Sequence, residues 1–151
     1  PVEEEKLQKI LEAGNLAPTA VNKQPFHIWV LKSEEAMQKV SQTTSFIFGA
    51  PVAFVVGSKV ESAFVRSFDK KNFADVDASI AATHMMLEIE ALGLGTTWVG
   101  HFDAPKLKEL FPEMADYELV AIFPVGYPAE DAKPSARHAE RAGIEMIADW
   151  L

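Results

Sequence analysis

The sequence contains no cysteine, and this absence excludes disulfide bonds and thiolate metal sites. It also lacks any run of about 18 apolar residues, so no transmembrane helix is expected. Its acidic start, residues 3–5, is unlike the basic start of a signal peptide. These absences favour a cytoplasmic location. Acidic residues outnumber basic ones, and the resulting net charge of −8 argues against nonspecific binding to nucleic acid.

The chain has 151 residues, 48% of them hydrophobic, which suits one compact α+β or α/β domain over residues 1–151. Pro1, followed by a run of glutamates, predicts the first turn of a helix with proline at its first position. The capping residue would then precede Pro1. We therefore expect further protein upstream of residue 1.

The spacing of apolar residues predicts several elements. Leu7, Ile10 and Leu11 mark one face of an amphipathic helix that stops at Gly14 and Asn15. The remaining predictions before residue 60 are a strand over 26–32, a short helix capped by Ser33 and a strand buried on both faces over 52–56. Later predictions are a helix over 104–111, a strand over 118–127 and a helix around 140–150. The apolar end of the chain, Trp150 and Leu151, is predicted to dock onto another surface.

Residues 77–92 form the most informative predicted helix, because it is apolar on nearly every face until Glu88. Asp77 is predicted to cap its start, and Gly93 and Gly95 end it. In so small a domain, a helix that is apolar all round predicts that one side faces a partner subunit. Residues 58–76, before this helix, are predicted to form a mobile lid or a short helix.

Common catalytic and metal motifs are missing. Gly93-Leu94-Gly95 lacks a third glycine and follows a helix, so it is a helix end and not a dinucleotide fingerprint. The four histidines show no His-Glu-x-x-His spacing, so no metal site is expected. Three stretches need another explanation: APTAVNKQPF at 17–26, GLGTTWVGHFD at 93–103 and GYPAEDAKPSAR at 126–137.

In this order, the three stretches resemble the FMN-dependent nitroreductase family. The first is similar to the family's Ala-Pro-Ser-x-x-Asn-x-Gln-Pro-Trp segment, with Thr19 in place of serine and Phe26 in place of tryptophan. The stretch at 93–103 resembles its Gly-Leu-Gly-x-x-Trp-Ile-Gly turn. The third, with FPVGYP followed by KPSAR, is similar to its last core strand and the basic segment behind it. The resemblance covers nearly the whole chain.

The resemblance implies a fold and an assembly. The fold would be α+β, with three layers and a mostly antiparallel central sheet flanked by helices. The protein would be a homodimer with FMN at the interface, and its C-terminal tail would reach over the partner. The family usually opens with an Arg-Arg-Ser-x-Arg stretch that grips the flavin, and this sequence begins just after that point. Either the stretch lies upstream or it is lost and FMN binds weakly.

The resemblance also implies which residues hold FMN. Asn22 offers both a donor and an acceptor to the edge of the flavin ring. Backbone N–H groups of the Trp98 turn would face flavin N5, and Arg137, helped by Ser135 and Lys133, would bind the phosphate. The implied cofactor-binding residues are Pro18, Thr19, Ala20, Asn22, Gln24, Thr97, Trp98, Val99, Gly100, Ser135 and Arg137.

The implied activity is that of an NAD(P)H oxidoreductase with a ping-pong mechanism. NAD(P)H would reduce FMN by hydride transfer to N5, and a nitroaromatic, a quinone or a similar acceptor would then be reduced in the same place. No catalytic acid, base or nucleophile is predicted, since the flavin carries the redox chemistry. Two alternatives stay open: a flavin-binding carrier or sensor without turnover, and a dehalogenase or flavin-modifying enzyme on the same fold.

Overall fold

The computed structural model describes residues 1–151, in which an antiparallel sheet of order β1-β2-β3 has helices on both faces. The strands are β1 Phe26–Leu31, β2 Val52–Ser58 and β3 Glu118–Val125. The helices are α1 Glu4–Asn15, α2 Glu34–Val40, α3 Ala74–Ala91 and α4 Ala104–Leu110. This architecture confirms the predicted α+β fold with three layers around an antiparallel sheet.

The central strand, β2, separates two hydrophobic cores, as its continuous apolar sequence predicts. Every residue of β2 is buried. Because side chains alternate along a strand, Phe54 and Val56 face the core built with α1 and α3. Ala53 and Val55 face the other core, which includes residues of α2 and α4. The sheet therefore forms the middle layer.

Helix α1 begins later than the sequence predicts. Its first residue is Glu4, and Glu3 holds the cap position in an extended conformation without a side-chain cap. The prediction that Pro1 occupies the first helical position was wrong, since the fixed φ of proline suits extended chain as well as helix. What decides the helix is the burial of Leu7 and Ile10 in the core.

Helix α3 begins earlier than predicted, and Asp77 does not cap it. The helix starts at Ala74, whose N–H donates to Oδ1 of Asn72 at 2.8 Å. Asp77 lies inside the first turn, and its side chain bonds elsewhere. The predicted end is confirmed, because Gly93 follows the helix with a φ of +73°, which glycine adopts without strain. Ser33 caps α2 as predicted, accepting from the N–H of Ala36.

Residues 59–73 form turns between the end of β2 and the start of α3, so the short helix predicted as one alternative for residues 58–76 was wrong. The other alternative, a mobile lid, stays a prediction. A single 3₁₀ turn spans Val60–Ser62, and a chain reversal follows in which Val65 pairs with Asn72. The N–H of Phe73 donates to the carbonyl of Phe64 at 3.0 Å, and their rings lie 5.7 Å apart. Paired aromatics at the base therefore close the reversal.

The C-terminal tail, residues 128–151, lies exposed along its length. Its predicted helix around 140–150 was wrong, since the tail contains only the 3₁₀ turns Ala136–Ala139 and Ile144–Met146. Most helical stability comes from packing an apolar face, and this chain offers the tail no such surface. Trp150 and Leu151 are fully exposed. No helix of the chain is long and apolar enough to cross a membrane.

Candidate functional site

Residues 18–24, called here the amide loop, have an unusual backbone. Val21, Asn22 and Gln24 have φ values of 47°, 55° and 51°. A β-branched residue such as Val21 is a genuine outlier in this region. Such conformations cost roughly 1–3 kcal/mol each and persist where the surroundings impose them, often at functional sites. The surrounding fold therefore imposes this conformation on the loop.

Hydrogen bonds within the amide loop use most of its polar groups. The N–H of Gln24 donates to Oγ1 of Thr19 at 3.0 Å, and its side-chain amide donates to Oδ1 of Asn22 at 3.1 Å. Each such bond contributes about 0.5–1.5 kcal/mol, less than the strain of the backbone. The amide NH₂ of Asn22 has no partner and is exposed. Asn22 thus has a free amide that can donate to a ligand.

One hydrogen bond ties the amide loop to α3. The N–H of Ala20 donates to Oδ1 of Asp77 at 3.0 Å, and Asp77 is only 1% exposed. At the flanks of the loop, Ala17 and Pro25 are buried, whereas Pro18 is exposed. The sequence interpretation missed Asp77 because an acid near the start of a helix is adequately explained as a cap. The sequence feature that could have identified Asp77 was its position within an otherwise apolar run.

The second predicted stretch runs along the outer edge of β3. Val99 and Ile122 exchange both backbone hydrogen bonds at 3.0 Å, and the side chain of Val99 is buried. The N–H of Val99 therefore already has a partner. The N–H groups of Trp98 and Gly100 make no hydrogen bond in the chain, and Thr97 is exposed. Backbone donors for a ligand come from the residues on either side of Val99.

Trp98 packs against the core and also reaches the surface. Its ring meets that of Phe123 edge to face, with centroids 5.2 Å apart, a favoured geometry for aromatic pairs. Its exposed fraction is 36%. The structural and ligand-facing interpretations of Trp98 are therefore compatible.

Exposed aromatic side chains border this turn. Oγ1 of Thr44 donates to the carbonyl of His101 at 2.9 Å, which fixes residues 44–48 beside the end of the turn. The ring of Phe46 lies 6.3 Å from that of His101 and 6.0 Å from that of Phe48. Phe48 is 70% exposed. This aromatic cluster, Phe46, Phe48 and His101, was not recognised from the sequence, because His101 is distant along the chain from the two phenylalanines.

The third stretch lies in the exposed tail. Oγ of Ser135 accepts from the N–H of Arg137 at 3.3 Å and begins the 3₁₀ turn Ala136–Ala139. The guanidinium of Arg137 has no hydrogen bond or ion pair, and Lys133 is also exposed. These cations are free to bind an anion.

A single chain does not bring the predicted site residues together. The amide loop precedes β1, at one edge of the sheet, whereas Val99 pairs with β3 at the opposite edge. Three strand spacings separate β1 from the Val99 segment, which amounts to about 14 Å. No hydrogen bond joins the amide loop to the Trp98 turn or to the tail. The second and third stretches do meet, because Gly95 and Gly126 exchange backbone hydrogen bonds of 2.7 and 3.3 Å. The amide loop is therefore separate from the other two stretches, which are neighbours.

Comparison with known proteins gives a consistent result. The family model described as "Nitroreductase family" matches residues 1–45 and 42–127. A protein of Methanothermobacter thermautotrophicus, provisionally named NADH dehydrogenase/NAD(P)H nitroreductase, is 30% identical over 86% of this chain and 69% of its own length.

Solved structures share the fold. A nitroreductase family protein of Clostridium difficile 630 is 33% identical, with a TM-score of 0.89, over 99% of this chain and 87% of that one. An FMN-dependent nitroreductase of Clostridium difficile R20291 is 29% identical, with a TM-score of 0.73, over 87% of this chain and 80% of that one. The chain described here therefore belongs to the nitroreductase family of oxidoreductases.

Proposed function

We propose that the chain binds FMN at a site shared by two copies and works as an NAD(P)H oxidoreductase on nitroaromatic, quinone or similar acceptors. The observation that carries this proposal is the separation of the amide loop from the Trp98 turn, because a second copy can supply what one chain keeps apart. The FMN dependence of the Clostridium difficile R20291 relative supports the choice of cofactor.

The donors available in this chain fit FMN. The free amide of Asn22 is neutral, and it suits the hydrogen-bonding edge of a flat ring that must be buried without an added charge. The unpaired N–H groups of Trp98 and Gly100 are fixed by the pairing of Val99. The free guanidinium of Arg137 suits a phosphate. When bound, FMN supplies the redox chemistry, accepting reducing equivalents from NAD(P)H and passing them to the acceptor in a separate, ping-pong half-reaction.

The remaining tasks fall to the protein, which holds and orients the ligands. The amide loop has a defined backbone conformation that its own hydrogen bonds and Asp77 hold, so little conformational entropy is lost when it binds. The small side chain of Ala20 allows a flat ring to approach the backbone. The positions of these groups govern binding, whereas no side chain has to gain or lose a proton.

Helix α3 supports the proposed dimer. Its outer face carries Val76 and Leu87, with Leu87 62% exposed, and borders an open groove of about 660 Å³ that is also lined by Ile80 and Thr83. Packing α3 against its own copy around a two-fold axis would cover this face in both chains. We propose that the same axis brings the amide loop of one chain to the Trp98 turn of the other.

The tail supports the same assembly. Its apolar side chains find no cover on their own chain, and large exposed apolar patches mark sites of interaction. A partner would bury them and bring Arg137 to the shared site. The exposed apolar residues of the tail are Ile144, Met146, Ile147, Trp150 and Leu151.

The aromatic cluster supports the class of acceptor. Phe46, Phe48 and His101 present rings beside the Gly100 end of the turn. Aromatic rings bind flat aromatic molecules by stacking or by edge-to-face contact. Nitroaromatics and quinones have this shape.

The visible absorption spectrum of the purified chain with added FMN, recorded before and after anaerobic addition of NADH or NADPH, tests the proposal. We expect the bound flavin spectrum to bleach with one of the nucleotides. A bound flavin that does not bleach would favour a carrier, a sensor or another reaction. If excess FMN did not bind, the proposed function would be wrong.

A further inference from the structure

We propose that Asp77 is a positioning residue for the cofactor site: its buried carboxyl holds the amide loop in the shape that binds flavin. This inference rests on the proposed function. It concerns a residue that lies outside all three stretches that resemble the family and that has no role in the ligand contacts proposed above.

Asp77 provides the amide loop's only hydrogen-bonded link to the helical layer. The other hydrogen bonds made by residues 18–24 end within the loop or on Phe26, the next residue but one. The bond from the N–H of Ala20 to Oδ1 of Asp77 reaches across 57 positions of sequence. Without it, the loop would be held only at its flanks.

The bond between Ala20 and Asp77 lies next to the strained part of the loop. Ala20 immediately precedes Val21 and Asn22, the first two residues with positive φ. A strained conformation persists where the surroundings impose it, and Ala20 is the point where α3 acts on the loop. Asn22, the proposed flavin donor, follows two residues later. A displacement of the Ala20 backbone is therefore expected to displace the Asn22 amide as well.

The stability of the fold does not explain the carboxyl of Asp77. Asp77 is 1% exposed, and its Oδ2 has no hydrogen-bond partner. A buried oxygen without a partner is unfavourable, and an apolar residue of similar size would avoid this penalty. The chain retains an acid in a helix that is otherwise apolar at its buried positions. The carboxyl is thus best explained by what it does for the loop.

Two substitutions that keep the branched shape of the aspartate side chain test this inference. Asp77→Leu removes the acceptor, while Asp77→Asn keeps an oxygen that can accept from Ala20. Asp75→Asn is the matched control, because Asp75 lies in the same turn of α3 and accepts instead from Oγ of Ser58. Three quantities are measured in each variant: the FMN dissociation constant, the hydrogen-exchange rate of the Ala20 amide without FMN, and the thermal midpoint.

For Asp77→Leu we expect FMN affinity to fall at least about tenfold and Ala20 exchange to accelerate by a similar factor, because one hydrogen bond to a carboxyl is lost. Its thermal midpoint should be equal to or above that of the wild type. Asp77→Asn and Asp75→Asn should stay within about threefold of the wild type in both binding and exchange. Loss of binding without loss of stability would distinguish positioning from a structural role.

Unchanged FMN affinity and unchanged Ala20 exchange in Asp77→Leu would overturn the inference. If Asp77→Leu unfolds, the deciding measurement is the exchange rate of the Ala20 amide in Asp77→Asn relative to the wild type. A large acceleration in this variant, which keeps an oxygen that can accept from Ala20, would count against the proposal that Asp77 holds the loop. If the wild type itself fails to bind FMN, the proposed function is wrong. The exchange measurements would then still show whether Asp77 holds the loop.

Discussion

The hydroxyl of Tyr127 donates to the carboxylate of Glu3 at 2.7 Å, joining the chain just after β3 to the residue just before α1. Nζ of Lys6 donates to the same hydroxyl oxygen and to the carbonyl of Leu92, both at 2.9 Å. This network holds the start of α1 against the end of α3. The Tyr127 hydroxyl is the main reason why the pKa of Glu3 lies below its usual range.

Tyr127→Phe should raise the pKa of Glu3 toward its ordinary value. A carboxyl whose pKa is lowered in the folded state adds stability above its unfolded pKa, and this contribution disappears as the pH falls through the folded pKa. The stability difference between wild type and variant should therefore be largest at neutral pH and vanish in acid. NMR titration of Glu3 checks this. The pKa of Glu4, lowered mainly by Lys32, is the internal control and should not move.

Gly57→Ala should destabilise the sheet. A Cβ on Gly57 would lie 3.0 Å from the ring of Trp29 and 3.2 Å from Cβ of Tyr117. Such overpacking typically costs about 1–3 kcal/mol, which urea unfolding can measure. Gly100→Ala, where the nearest atom lies 4.0 Å away, is the control and should change stability little. Equal stability in the two variants would contradict this prediction.

Leu87→Glu should prevent dimer formation, because it places a charge on the exposed apolar face of α3. Analytical ultracentrifugation should show a monomer, and FMN binding should weaken in parallel. Ala115→Glu makes a similar change at an exposed position away from α3 and should leave the dimer intact. A dimeric Leu87→Glu would exclude α3 as the interface.

Removing residues 129–151 should weaken the dimer without unfolding the core. The tail is exposed throughout and contributes nothing to either core cluster. The thermal midpoint of the truncated monomer, measured at low concentration, should therefore match that of the full chain. A dimer dissociation constant unaffected by the truncation would mean that the tail does not cover the partner.

Arg137→Ala should reduce FMN affinity by about 10- to 100-fold, since hydrogen bonds to charged groups contribute about 1.5–3 kcal/mol. Riboflavin, which lacks the phosphate, should bind equally to wild type and variant. Arg141→Ala is the control, because Arg141 donates to the carbonyls of His138 and Glu140 and is not free. If both ligands lost affinity equally, Arg137 would not be the phosphate ligand.

Elements decided by local interactions were predicted correctly. The spacing of Leu7 and Ile10 placed α1, and the hydroxyl of Ser33 caps α2 as expected. The apolar run of β2 predicted burial on both faces. In each case, residues a few positions apart determine the outcome, so a sequence pattern contains the necessary information.

Features that depend on distant residues could not be predicted in this way. The partner of Asp77 is Ala20, 57 positions away, and the tail lacks the packing surface that a helix there would need. The family-like stretches also gave no sign that the amide loop lies apart from the Trp98 turn within one chain.

By itself, the sequence determined the helices and strands with strong apolar patterns, the resemblance to a flavoenzyme family and the choice of candidate FMN-binding residues. The tertiary structure decided the left-handed backbone of the amide loop and the hydrogen bond from the Val99 N–H to Ile122. It also decided the distance between the amide loop and the Trp98 turn. The physical reason is that strand pairing and buried hydrogen bonds join residues far apart in sequence, and only the folded chain shows which donors remain free for a ligand.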